Sequence, residues 1–113
     1  MKQLSGADLL ELHARTGTGG PALLLLDVRE PWEVAVASIR VDGAEHLDVP
    51  ITGLPYRLDA IDPAQPVVCI CHHGARSAQV VAYMERLGYG SVYNLAGGID
   101  AWSTRIDPAV PRY

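Results

Sequence analysis

Apolar residues recur along this chain with two different periods. Leu23 to Val28 is a nearly continuous apolar run, broken only by Asp27, and predicts a strand covered on both faces. Val67 to Cys71 has the same character and predicts the most buried strand. Weak alternation over Glu45 to Val49 predicts a third strand, Ser91 to Leu95 a last one, and Leu4 closes a short first one. Between these runs the period lengthens. Leu9, Leu10, Leu12 and His13 follow Ser5, an N-cap residue with Asp8 in the acidic position of a capping box. Gly17 to Pro21 reads as a loop. Pro31 suits the first turn of a short helix through Trp32 and Val34. Leu54, Leu58 and Ile61 predict one face of a helix over Gly53 to Ile61, punctuated by Pro63 and Pro66. Ala78, Val81, Ala82, Met84 and Leu87 mark the inward side of another helix, which Gly88 stops at its C′ position. Gly97-Gly98 makes a turn into a last helix carrying Trp102.

Strands alternating with helices predict an α/β fold. Its central sheet is mainly parallel, of about five strands, and flanked by helices on both faces. No repeat, low-complexity segment or linker divides the 113 residues, so one domain over residues 1–113 is expected. In such sheets ligands bind beyond the carboxyl ends of the strands. Cys71 falls there.

Composition removes several classes of function. Hydrophobic residues are 49% and charged residues 19%, ordinary for a globular domain. The net charge is -4 and the nine basic residues are scattered, so no nucleic-acid partner is expected. No apolar stretch is long enough to span a membrane, and the start lacks the apolar core of a signal peptide. A cytoplasmic location is the expectation. The only cysteines, Cys69 and Cys71, are too few and too close for a disulfide framework. A free cysteine in a reducing compartment is either a packing residue or a chemical tool.

The segment Cys71-His72-His73-Gly74-Ala75-Arg76-Ser77 runs from a buried strand into a helix. A helix N-terminus presents unpaired N–H groups and the positive end of the dipole. Arg76 adds a charge that does not titrate, and Gly74 permits the curvature that turns successive amides inward. These features are expected to favour the thiolate of Cys71, which is the nucleophile. Cys69 lies two positions earlier on the same side of the strand and is expected in the core. Adjacent Cys and His ligands can hardly enclose a tetrahedral ion, so no metal or other cofactor is expected. His72 and His73 are candidates for the substrate edge, and Asp27 and Arg29 for support of the site through hydrogen bonds and ion pairing. Trp32 and Trp102 are expected in the core or a pocket wall. His13 and His46 show no partner in the sequence.

Cys71 through Ser77 resembles the active-site loop of rhodanese-homology domains, in which Cys and Arg bracket four residues. Leu26-Asp27-Val28-Arg29-Glu30-Pro31-Trp32-Glu33 is similar to the family's Asp-x-Arg segment. Tyr93 through Trp102 resembles its Gly-Gly-x-x-x-Trp signature, and the three blocks occur in the family's order. The resemblance implies a sulfurtransferase working by a ping-pong mechanism. Cys71 would take sulfur from a donor such as thiosulfate as a persulfide, then pass it to cyanide, a thiol or a sulfur-carrier protein; a desulfurase is another implied partner. Amides from His72 to Arg76, including those of Gly74 and Ala75, would surround the outer sulfur, with Ser77 completing the loop. One segment departs from the pattern. Where many members have His-Ile-x-Gly-Ala, this chain has Ser38 through Ala44, without the His and two residues longer. The tail Asp107 through Tyr113 resembles the ending of members that serve sulfur-carrier activation. Two other readings remain: a Cys-dependent phosphatase or arsenate reductase, which commonly has five residues between Cys and Arg, and a binding module of the same fold without turnover.

Overall fold

The computed structural model describes residues 2–16 and 21–113. Its centre is a sheet of five parallel strands: β1 (Gln3–Leu4), β2 (Leu24–Asp27), β3 (Glu45–Asp48), β4 (Val67–Ile70) and β5 (Val92–Leu95). Their order across the sheet is β1-β5-β4-β2-β3. The helices are α1 (Gly6–Thr16), α2 (Pro31–Val36), α3 (Ala75–Arg86) and α4 (Gly98–Arg105). Most of the loop expected at Gly17 to Pro21 lies outside the described residues.

The two-residue period of each strand divides the core into two layers. Leu24, Leu26, Val67, Cys69 and Val92 face Val80, Val81 and Met84 of α3 together with Leu54, Leu58 and Ile61. Leu25, Val68, Ile70 and Leu95 face Leu9 of α1 and Ile99 and Trp102 of α4. Every residue of β2 and β4 is buried, which is why both read as unbroken apolar runs.

Three expectations need correction. The segment around Leu54 and Leu58 is two 3₁₀ helices, Ile51–Tyr56 and Leu58–Ala60, rather than one α-helix. Pro55 removes an N–H within the first, and the chain breaks at Arg57 before resuming. Leu54, Leu58 and Ile61 still reach the core. On α3 the inward stripe is Ser77, Val80, Val81 and Met84, at i, i+3, i+4 and i+7, while Leu87 is exposed. Leu87 is the C-cap; Gly88 N–H bonds to the Glu85 carbonyl and Tyr89 N–H to that of Met84, a Schellman closure. Tyr89 then takes the inward place, its hydroxyl bonded to the carbonyls of Leu58 and Ile61. Third, Trp102 is buried but Trp32 is exposed.

The two histidines without a visible partner both fasten the segment that departs from the family pattern. His13 Nε2 lies 2.8 Å from the Asp42 carbonyl, and His46 Nε2 accepts the Val41 N–H at 3.1 Å. Burial, aided by Arg40, lowers the pKa of His46 and keeps it a neutral acceptor.

The connection from β2 through α2 leads to β3 on one side, and that from β4 through α3 leads to β5 on the other. The carboxyl ends of β2 and β4 therefore flank the point where the winding reverses. A crevice opens at such a point in doubly wound sheets.

Candidate active site

Cys71 leaves β4 at this point, and its loop is pinned from two directions. The carbonyls of Cys71 and His72 accept the N–H groups of Ile99 and Asp100 at 2.9 and 3.1 Å. The Gly74 carbonyl accepts the Ala78 N–H at 3.1 Å and Asn94 Nδ2 at 3.1 Å. Because a trans peptide points its N–H opposite to its carbonyl, the N–H groups of His72 and His73 face away from α4. Gly98 makes this docking feasible. A Cβ there would lie 2.4 Å from both the Cys71 and His72 carbonyl oxygens.

The Cys71 sulfur sits at the N-terminus of α3. It accepts the Gly74 N–H at 3.0 Å and lies 3.2 Å from Ser77 Oγ. Gly74 is the N-cap, at φ 106, a left-handed conformation that a side chain would strain. No side chain caps this helix end, so the first-turn amides of Ala75, Arg76 and Ser77 have no partner within the helix. Ala75 is exposed and Ser77 wholly buried. Cys71 itself is only 1% exposed, so the sulfur lies at the floor of the loop. Cys69 is buried in the strand behind it; burial, and then the neighbouring Cys71, push its thiol far up, which holds it neutral.

Charge around the loop is arranged in a chain. Arg76 Nη1 and Nη2 each bond to Glu33 on α2 at 2.7 Å. Arg76 holds the Glu33 carboxyl well below the usual range, at about 2, against the opposing effect of burial. Tyr113 donates its hydroxyl to Glu33 Oε1 at 2.9 Å and accepts from Arg29 Nη1 at 3.0 Å. Arg29, 1% exposed, pairs with Asp27 at 2.7 Å and bonds to the Ala37 carbonyl at 2.7 Å. Asp27 and Arg29 thus fasten α2 to the end of β2, and α2 presents the carboxylate that holds Arg76.

The two loop histidines are stacked. The His72 ring lies between His73, at 3.9 Å, and Tyr113, at 4.0 Å and 9° from parallel. Trp32 meets the edge of Tyr113 at 6.0 Å. Exposed His73 faces Asp100, which Arg112 binds at 2.8 Å. The tail therefore returns to the site, through Arg112 on α4 and Tyr113 on the loop.

All the residues singled out in the sequence, Cys71 through Ser77 with Asp27 and Arg29, converge on the carboxyl ends of β2 and β4. Four others were not singled out. Glu33 carried a signal, lying four residues after Arg29 in a short helix. Asn94 carried another, as an amide inside an otherwise apolar strand. Asp100 and Tyr113 carried none, because only the tertiary fold brings α4 and the tail to the loop.

Comparison with known proteins agrees with the geometry. The family profile described as "Rhodanese-like domain" matches residues 8–105. A protein named "Sulfurtransferase" from Allochromatium vinosum is 41% identical over 88 residues, 78% of each chain. "Thiosulfate sulfurtransferase GlpE" of Stutzerimonas stutzeri is 32% identical over 92 residues, 81% of this chain and 78% of that one. The chain is also 37% identical to the chloroplastic "Rhodanese-like/PpiC domain-containing protein 12" of Arabidopsis thaliana, spanning only 30% of its length. The crystal structure of a rhodanese-related protein from Thermoplasma volcanium superposes with a TM-score of 0.77 at 28% identity, covering all of both chains.

Proposed function

The chain belongs to the rhodanese-like domain family, and from that premise we propose that it carries sulfur as a persulfide on Cys71. Sulfur transfer is the general chemistry of its named relatives. The observation that carries the finer reading is the position of the Cys71 sulfur at an uncapped helix N-terminus, with the Gly74 N–H already on it at 3.0 Å. Anionic sulfur is stabilised there by amides and dipole rather than by a titrating group.

The step balances without an external oxidant. The Cys71 thiolate attacks the outer sulfur of thiosulfate, a new S–S bond forms, and the old one breaks with its electron pair leaving on sulfite. The persulfide's charge then rests on the outer sulfur, where the first-turn amides of α3 receive it. Cyanide or a thiol attacks that sulfur, and the Cys71 thiolate is restored. A sulfur-carrier protein is an alternative acceptor and a desulfurase an alternative donor. A reducing, cytoplasmic setting keeps both thiols free for this cycle. Arg76, held by Glu33, fixes the first turn of α3 and lends positive potential to the sulfur.

Thiosulfate-to-cyanide transfer, read as thiocyanate, tests the proposal alongside hydrolysis of an aryl phosphate. Thiocyanate formation that is lost in Cys71→Ser is expected, with negligible phosphate release. Phosphate release without sulfur transfer would overturn it.

A further inference from the structure

Asn94 is 3% exposed on β5, and its amide is tied to the reactive loop. One edge faces the Gly74 carbonyl at 3.1 Å and Gln3 Oε1 at 3.1 Å. A backbone carbonyl only accepts, so this edge is the NH₂. The other edge is then the oxygen Oδ1, which meets Ser77 Oγ at 2.5 Å. Two oxygens this close share a proton, and Asn94 Oδ1 has none to offer. The single Ser77 hydroxyl proton is thereby committed to Asn94 rather than to its two more distant neighbours, the Gly74 carbonyl at 3.3 Å and the Cys71 sulfur.

The consequence reaches Cys71, whose sulfur is 3.2 Å from the same Ser77 oxygen. With its proton on Asn94, Ser77 offers the sulfur a lone pair. A thiol S–H can donate to that lone pair; a thiolate is repelled by it. To solvate a thiolate, Ser77 must turn its proton away from Asn94 and leave Oδ1 buried without a donor, which is costly. We propose that Asn94 is a positioning residue that sets the thiol–thiolate balance of Cys71 through the Ser77 hydroxyl. This rests on the reading of Cys71 as the sulfur carrier and deepens it. The persulfide moves its charge to the outer sulfur, so of the three states only the bare thiolate is left poorly solvated by this pair. Asn94 thus favours a protected thiol at rest and a reactive thiolate when it forms.

Other titratable groups surround the loop. Arg76 of α3 acts on the sulfur electrostatically, Cys69 of β4 is neutral, and His72 and His73 of the loop itself are stacked with Tyr113. Glu33 of α2 is paired with Arg76, and Asp100 of α4 with Arg112. None of these is altered in the test.

The test is the pH dependence of iodoacetamide alkylation at Cys71, located by mass spectrometry, in a double-mutant cycle of Asn94→Leu and Ser77→Ala. Leu matches the shape of Asn without its amide. Asn94→Leu is expected to raise the thiolate-to-thiol ratio roughly tenfold, the worth of one hydrogen bond to an ion, moving the midpoint down by about one pH unit. In the Ser77→Ala background the same change should move it little. No shift with Ser77 present, or an equal shift without it, would overturn the proposal. If Asn94→Leu does not fold, Asn94→Ala removes the same acceptor with a smaller side chain. Its midpoint should fall as well, and an unchanged or raised midpoint would overturn the proposal. Alkylation needs no sulfur donor, so failure of sulfur transfer in the unmodified protein would count against the function and leave this cycle intact.

Discussion

At Glu33 one carboxylate receives Arg76, Tyr113 and the Glu30 N–H, the last at 2.9 Å. Its pKa is held at about 2 against an ordinary 4.5. A depressed carboxylate stabilises the fold fully above its unfolded value and loses that contribution as pH falls through the folded one. Stability should therefore be flat with respect to this group above pH 4.5 and decline between about 4.5 and 2. Glu33→Gln should remove that acid limb and lower neutral-pH stability by about 1–3 kcal/mol, since Arg76 loses its partner while remaining partly solvated. Urea unfolding at several pH values measures both, and an unchanged acid limb would show that the pair contributes nothing. Arg76→Ala removes a charge but leaves the amides of the α3 N-terminus. It should slow sulfur uptake and reduce the thiolate fraction at Cys71 without abolishing either. A pH–alkylation profile identical to that of the unmodified protein would make Arg76 purely structural.

Among the elements, the turn into α4 and the tail bear most on the site. Gly98 is at φ 61 and its missing Cβ leaves room for the two loop carbonyls. Gly98→Ala should push the Cys71–His72 backbone out of place and cut sulfur transfer by at least tenfold, with β-sheet circular dichroism retained. Full activity would mean that the loop position is not set by α4. Tyr113→Phe keeps the ring on His72 but removes two part-buried hydrogen bonds, and is expected to cost about 1–2 kcal/mol. Tyr113→Ala also removes the stack and should lower thermal stability further. Equal melting temperatures for the two variants would show that the stack is worth nothing. β2 and β4 were readable from sequence because each is buried on both faces, and Cys71 through Ser77 stood out as a strand–loop–helix. The 3₁₀ helices were not, because apolar spacing at Leu54, Leu58 and Ile61 satisfies an α-helix equally well, and Pro55 decides otherwise. Leu87 misled for a related reason: periodicity continues in the sequence past the residue where the Schellman closure ends the helix. Tyr113 was beyond reach, since nothing local links it to Glu33, eighty residues away.

Taken whole, the molecule places its chemistry at the one reversal in the winding of its sheet. β2 delivers Asp27 and Arg29, β4 delivers Cys71, and β5 delivers Asn94 behind it. Among the described residues no helix is long and apolar enough to cross a membrane. The proposed cycle requires sulfur to reside on Cys71 between donor and acceptor. Incubating the protein with thiosulfate, removing the excess, and measuring intact mass tests it directly. A gain of one sulfur atom is expected, mapped to Cys71, reversed by cyanide and absent in Cys71→Ser. No gain in mass, or sulfur found on Cys69, would contradict it.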